Sequence, residues 1–177
     1  MLTRIGPTAA RIGVCAALLA AVAAAAVPTE WQTSAPPPYP GEMNLAQSDY
    51  VEHCGGCHGI QGDASPAQLP SLRGRVGWFM CNPEARSYLL RLPNVARSRI
   101  TDNVELADLL NFMVFGLGGA STPKNAKPFT GAEVGRERLS PFTSVSLVKT
   151  RAAVVDGLIK RCGAPASLRL MYPGQPH

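Results

Sequence analysis

Five consecutive residues, Cys54-Gly55-Gly56-Cys57-His58, constrain this chain more than any other feature. Two thiols at this spacing lie on the same side of one helical turn, and the histidine that follows at once is held beside them. Both thiols can then add to the vinyl groups of a haem while the histidine binds its iron. The motif therefore predicts one covalent haem c, with Cys54 and Cys57 as thioether residues and His58 as the proximal axial ligand.

Two other chemistries share the paired cysteines. A thioredoxin-like redox pair needs a strand followed by a helix, and no strand pattern of convincing length occurs. A zinc site would need a further ligand, for which Cys81 and His53 are the nearby candidates. We interpret His53 instead as a solvent-facing helix residue. Haem is therefore the leading interpretation, with the redox pair and the zinc site as alternatives.

The N-terminus has the pattern of an export signal. Arg4 and Arg11 precede an apolar run from Ile12 to Val27, which contains small residues suited to cleavage. The run is about 16 residues long, shorter than the roughly 20 that span a bilayer. We therefore expect a cleaved signal over residues 1–26, with an uncleaved anchor as the alternative. Either outcome places the protein in the periplasm or elsewhere outside the cytoplasm, and only the anchor would tether it to a membrane.

The net charge does not indicate a nucleic-acid partner. The chain carries a formal charge of +5, which falls by two if Arg4 and Arg11 leave with the signal. No basic block with interleaved aromatic residues occurs, and the predicted compartment is extracytoplasmic. Nucleic-acid binding is therefore excluded as an interpretation.

The chain contains five cysteines, and their expected fates differ. Cys15 lies within the predicted signal, and the haem motif uses Cys54 and Cys57. Cys81 and Cys162 remain, and a leftover pair in an oxidising compartment most simply forms a disulfide. The alternative is two buried free thiols.

Helical patterns alternate with loops rich in glycine and proline, so we predict a mostly α fold. The clearest helix begins at Asp102, because Asp102 and Glu105 have capping-box spacing, and an apolar stripe continues to Met113. Further helices are expected from Ser48 or Asp49 into the haem motif, briefly over Thr130 to Arg138, and as an amphipathic helix from Ser146 to Arg161. Another is expected from Pro83 through Leu90, with Pro93 ending it.

Other residues recur at fixed distances from the motif, namely Tyr50, Gly59, Gly62, the run Pro70-x-Leu72-x-Gly74, and Phe112 near the end of the clearest helix. With these residues, positions 45–115 resemble the class I c-type cytochromes. The resemblance implies a cytochrome c-like helical fold around one covalent haem. In that fold the helix bearing Cys54 crosses the helix that begins at Asp102. The family's thioether and proximal roles fall on the same cysteines and histidine as above.

The export signal, a proline-rich stretch and the resemblance together divide the chain into four parts. We expect a signal at 1–26, a proline-rich linker at 27–44, a cytochrome c domain at 45–119, and a C-terminal extension at 120–177. The extension is expected to carry one amphipathic helix and to pack on the core.

The sequence departs from the family at the second axial position. The family carries a methionine in the loop before its last core helix, whereas residues 92–98 contain no Met, His or Lys. Met80, in the predicted loop Trp78-Phe79-Met80-Cys81, and Met113 are the remaining candidates. Because Met113 continues the apolar stripe of the core helix, it is better explained as a core residue, and Met80 is preferred. An open or water-bound sixth position is the alternative.

These features predict an electron-transfer protein, not an enzyme. We expect it to pass single electrons between an extracytoplasmic dehydrogenase and an oxidase or another acceptor. An open iron face would instead favour a haem-based ligand sensor or a peroxidase-like protein. The length of chain after Phe115 also permits a cytochrome subunit permanently docked to a dehydrogenase. Arg73, Arg75, Arg86 and Arg91 could contact haem propionates, although a solvated face is the preferred interpretation.

Overall fold

The computed structural model describes residues 43–63 and 69–172, and these ranges contain helices joined by loops, with no strand. The predicted mostly α fold is therefore confirmed. The predicted signal and nearly all of the proline-rich linker lie outside the described residues. No helix within the described ranges is both long enough and apolar enough to cross a membrane. The α-helices are α1 (Met43–His53), α2 (Gly55–His58), α3 (Pro83–Arg91), α4 (Pro93–Ala96), α5 (Asn103–Asn111), α6 (Gly131–Glu137) and α7 (Leu147–Cys162).

Four α-helices begin at a short polar side chain that accepts hydrogen bonds from the first turn. Such N–H groups have no partner within the helix, so a capping oxygen stabilises the helix start. Asp102 Oδ1 accepts from Val104 N at 2.6 Å and from Glu105 N at 3.0 Å, which confirms the predicted start of α5. Asn82, Thr130 and Ser146 cap α3, α6 and α7 in the same way.

Three segments differ from the prediction. Helix α1 begins at Met43, ahead of the expected cap at Ser48 or Asp49, because Ala46 packs into the core one turn before Tyr50. Pro93, expected only to end α3, also begins the short helix α4, where proline is well tolerated. The segment predicted as a loop around Met80 is a 3-10 helix, Val76–Met80, whose Phe79 ring stacks on Tyr88 of α3 at 5.6 Å.

The core is organised by the crossing of α1 with α5. The rings of Tyr50 and Phe112 meet there with centroids 5.6 Å apart and planes tilted by 51°. Both residues are buried, and α1 also contacts the π-helical turn Phe112–Leu117 that continues α5. This is the crossing that the resemblance implied.

Within residues 120–172, the described part of the C-terminal extension, there are two α-helices, where one amphipathic helix and a brief helical signal were expected. Helix α6 packs on α5 and α7 packs on α3, so the extension lies on the core. Val155 and Leu158 of α7 are fully buried. A short 3-10 helix, Ala166–Arg169, follows and packs back on α7.

Cys81 and Cys162 form a disulfide, which confirms the predicted pairing. Cys81 follows the 3-10 helix Val76–Met80, and Cys162 is the last residue of α7. The bond therefore fastens the end of the extension to the core.

Candidate haem site

The Cys-x-x-Cys-His motif lies at the junction between α1 and α2. Cys54 N donates to Tyr50 O at 2.8 Å, and Cys54 O accepts from Cys57 N at 3.1 Å and from His58 N at 2.9 Å. Two helical segments thus meet at Cys54 and place both cysteines and the histidine on one turn. Neither cysteine is in a disulfide: Cys54 is half-buried and Cys57 is exposed.

A backbone carbonyl orients the His58 ring. His58 Nδ1 lies 3.0 Å from Pro70 O, so Nδ1 carries the proton and donates it, and the lone pair lies on Nε2. Burial lowers the pKa of His58, which favours the neutral imidazole that binds metals. A histidine held through its second nitrogen is the usual arrangement for an iron ligand, because the hydrogen bond fixes the ring and raises its basicity.

The carbonyl of Gly62 fixes the loop that presents Pro70. It accepts hydrogen bonds from Leu72 N at 2.8 Å, Arg73 N at 3.0 Å and Ser71 Oγ at 3.2 Å. Gly62 itself has a φ of 74°, a left-handed conformation that glycine adopts most easily. The turn therefore needs glycine at this position, and it holds the loop in the conformation that orients the histidine.

The Cys54 thiol is poorly suited to disulfide exchange. Burial, with a contribution from neighbouring Cys57, raises the pKa of Cys54 to about 11, so its thiol stays protonated near neutral pH. Reactive redox cysteines instead have a depressed pKa. The described residues also contain no group of three or more His, Cys, Asp or Glu side chains that could hold a metal ion, so the zinc alternative gains no support there.

Arg75 provides an independent test of whether haem fits this site. Its Nη2 donates to the carbonyl oxygens of Ser167 and Leu170, but its Nε is buried without a hydrogen-bond partner. A buried N–H without a partner is rare, and a carboxylate is a strong acceptor for a guanidinium. Since Arg75 belongs to the loop that carries Pro70, this orphaned donor fits a haem propionate.

The other three arginines have partners of their own. Arg73 Nε donates to Gln61 O at 2.7 Å. Arg86 pairs with Glu133 and Arg91 with Glu137, and both pairs join α3 to α6. The expected solvated face is therefore wrong for Arg86, which is held in a partly buried ion pair, whereas the Arg91 side chain is 39% exposed.

Both candidate distal methionines are buried. Met80 Sδ lies 3.8 Å from Arg86 Nη1, which places the sulfur beside α3. Met113 lies in the π-helical turn after α5, among core residues. Their role as the second axial ligand stays a prediction. The run Pro70-x-Leu72-x-Gly74 carries part of the family resemblance. That the Pro70 carbonyl accepts a hydrogen bond from His58 has no signature in a single sequence.

A helical turn bearing two free thiols and a carbonyl-oriented histidine, beside a crossing of two core helices, fits the haem site that the sequence motif predicts. The chain is similar to two proteins named Cytochrome c-552, both from Thermus thermophilus. One is 28% identical over 132 residues, covering 63% of this chain and 88% of that protein. The other is 28% identical over 116 residues, covering 55% and 88% respectively. No family model and no solved structure matches the chain. The two similarities support a place among the cytochromes c.

Proposed function

We propose that this chain is a mono-haem c-type cytochrome that carries single electrons outside the cytoplasm. The observation that carries the proposal is the His58 ring, whose Nδ1 is held by Pro70 O one residue after a pair of free cysteines. When bound, the haem supplies the one-electron redox step. The protein supplies covalent attachment, iron ligation and burial.

Each residue of the site has a distinct role in this proposal. Cys54 and Cys57 hold the porphyrin edge through thioether bonds. His58 presents a neutral Nε2 to the iron, and Pro70 fixes the orientation of the ring. Tyr50 donates its hydroxyl to Gly59 O at 2.7 Å, which joins the core crossing to the end of the motif. The site is thereby held on rigid elements, so little rearrangement is needed when the oxidation state changes.

Two observations support an extracytoplasmic location. Residues 1–26 have the composition of an export signal, and the disulfide between Cys81 and Cys162 is a bond typical of oxidising compartments. We propose a dehydrogenase as electron donor and an oxidase, or another terminal acceptor, as the receiving partner.

The first experiment asks whether the exported protein retains haem after denaturation. We expect wild-type protein, expressed with the cellular machinery that attaches haem c, to keep its haem on a denaturing gel. The Cys54→Ala and Cys57→Ala double variant should lose it. His58→Ala should disturb the low-spin spectrum, whereas His53→Ala, at an exposed position on α1, should leave it unchanged. Wild-type protein without covalent haem would refute the proposal.

The position of Met80 favours a second candidate, a haem-based ligand sensor with an open iron face. Met80 Sδ lies beside the Arg86 guanidinium, and residues 92–98 contain no Met, His or Lys that could serve as the second axial ligand instead. A sensor would bind carbon monoxide when reduced, whereas an iron capped by methionine resists it. Spectra of the reduced protein with and without carbon monoxide separate the two functions. Met80→Ala and Met113→Ala should then show which sulfur, if either, closes the sixth position.

A further inference from the structure

The last described segment of the chain lies against the loop that orients the proximal histidine. Ser71 N donates to Met171 O at 2.7 Å. Ser71 directly follows Pro70, whose carbonyl accepts the hydrogen bond of His58 Nδ1. The peptide unit between Pro70 and Ser71 therefore bonds to both sides: its carbonyl accepts from His58, and its N–H donates to Met171. We call residues 166–171 the C-terminal brace.

Two arginines fasten the brace through its backbone carbonyls. Arg75 lies in the loop that carries Pro70, residues 69–75, which we call the proximal loop. Arg75 Nη2 donates to Ser167 O at 2.9 Å and to Leu170 O. Arg151 of α7 is only 5% exposed, and its Nη2 donates to Leu168 O at 3.0 Å. Hydrogen bonds from charged donors are stronger than those between neutral groups. The brace is thus held from the loop on one side and from α7 on the other.

An apolar anchor and a covalent bond complete the attachment. Leu168 is 1% exposed and belongs to the core cluster. Helix α7, on which the brace packs, ends at Cys162 in the disulfide to Cys81. A segment of six residues is thus held by a backbone hydrogen bond, two arginines and a buried leucine.

We propose that the C-terminal brace sets the strength of the hydrogen bond between Pro70 and His58, and through it the reduction potential of the haem. The inference rests on the proposed function and deepens it. A strong hydrogen bond at Nδ1 makes the imidazole a better electron donor, which stabilises ferric iron and lowers the potential. Loosening the brace frees the peptide unit after Pro70, weakens that bond and raises the potential. The brace residues are positioning residues, since their backbone carbonyls accept from Ser71, Arg75 and Arg151 and act on the histidine through Pro70.

The test compares two substitutions in the full-length, haem-loaded protein. Leu168→Ala removes the apolar anchor without changing the charge. Val134→Ala is the matched control, because Val134 is also an uncharged apolar residue that is 1% exposed, but it lies on α6, which packs on α5 and α3. At a fixed ambient potential, Leu168→Ala should raise the ratio of ferrous to ferric protein roughly threefold to tenfold. The control should leave the ratio unchanged.

Proton exchange at the histidine gives a readout that a purely structural role would not change. In Leu168→Ala the His58 Nδ1 proton should exchange with solvent faster than in wild type, as measured by magnetic resonance. In wild-type protein the Ser71 amide and the His58 Nδ1 proton should exchange with similar protection. This second measurement needs no variant, so it decides the question even if Leu168→Ala fails to fold.

The outcomes separate the inference from the function on which it rests. Wild-type protein without covalent haem would overturn the proposed function and the inference together. A haem-loaded Leu168→Ala protein with unchanged potential and unchanged exchange would overturn the inference alone. So would a wild-type protein in which the Ser71 amide exchanges freely while the His58 proton is protected.

Discussion

Glu137 shows how single side chains connect the C-terminal extension to the core. Its carboxylate, at the end of α6, accepts from Arg91 Nε at 2.8 Å and from Arg136 Nε at 3.3 Å. Burial by itself would raise the pKa of Glu137, but the two guanidiniums outweigh it and hold the pKa below the usual 4.5. The ionised carboxylate therefore stabilises the fold above about pH 4.5, and this stabilisation is lost as the pH falls through the lower folded-state pKa.

Replacing Arg91 should show how the stabilisation by Glu137 depends on pH. In Arg91→Met the carboxylate of Glu137 keeps only Arg136, so we expect a loss of about 1–2 kcal/mol in the free energy of unfolding at neutral pH. The loss should shrink below the folded-state pKa, where Glu137 is neutral in both proteins. Urea unfolding at pH 7 and pH 3 measures it.

Arg161→Met is a suitable control for that experiment, because the Arg161 pair with Glu84 is well exposed on both sides. Surface pairs of this kind contribute little, so its stability should be nearly that of wild type. An equal loss in Arg91→Met at both pH values would contradict the role assigned to Glu137.

At the scale of helices, the cap of α5 gives a direct test of the local sequence signal. Asp102→Ala removes an acceptor from two first-turn N–H groups, and we expect a loss of about 1 kcal/mol in unfolding free energy. Thr101→Ala, one residue earlier and exposed, serves as the control. Thermal unfolding followed by circular dichroism measures both. Equal stability of the two variants would show that the cap is unimportant.

A buried amide joins α5 to the segment before α6. Asn111 Nδ2 donates to Phe129 O at 3.0 Å and Asn111 Oδ1 accepts from Phe129 N at 2.7 Å, with both residues buried. Asn111→Ala would leave both backbone groups without a partner, so we expect a loss of about 2–4 kcal/mol. Asn94→Ala, at an exposed position, should cost almost nothing. A denaturation series in urea compares the two, and similar losses would contradict this role.

The helices show which features a single sequence can reveal. The starts of α5 and α6 were predictable because the capping side chain and its N–H partners are only two or three residues apart. The early start of α1 was not, since it depends on the burial of Ala46 against other elements. The 3-10 helix Val76–Met80 was missed for the same reason: its Phe79 packs on a ring of another helix.

At the scale of the whole molecule, the disulfide closes a long loop. Cys81 and Cys162 are separated by 81 positions, for which the chain-entropy relation gives about 4.5 kcal/mol of stabilisation. The Cys81→Ser and Cys162→Ser double variant should therefore unfold at distinctly lower urea concentration. Wild-type protein under reducing conditions is the comparison, and it should behave like the double variant. Unchanged unfolding of the double variant would contradict the prediction.

Some parts of the candidate site could be predicted from the sequence, and other parts could not. The cysteine motif is contiguous, so its residues can be read from the sequence alone, and the roles assigned to them stay predictions. The partners that complete it come from distant positions: a carbonyl at Pro70, a guanidinium at Arg75, and the backbone of Met171. Backbone acceptors leave no trace in residue identity, and contacts across the chain depend on how the helices pack. The distal ligand stays a prediction, because buried methionines suit both packing and ligation.

The contact between Ser71 and Met171 implies an order of assembly. A chain that is made and exported from its N-terminus presents the cysteine motif long before its last residues emerge. On the proposed function, haem attachment can therefore take place while the C-terminal brace is still absent and the loop that carries Pro70 is free to open. The contact between Ser71 and Met171 would then form after haem attachment and close that loop.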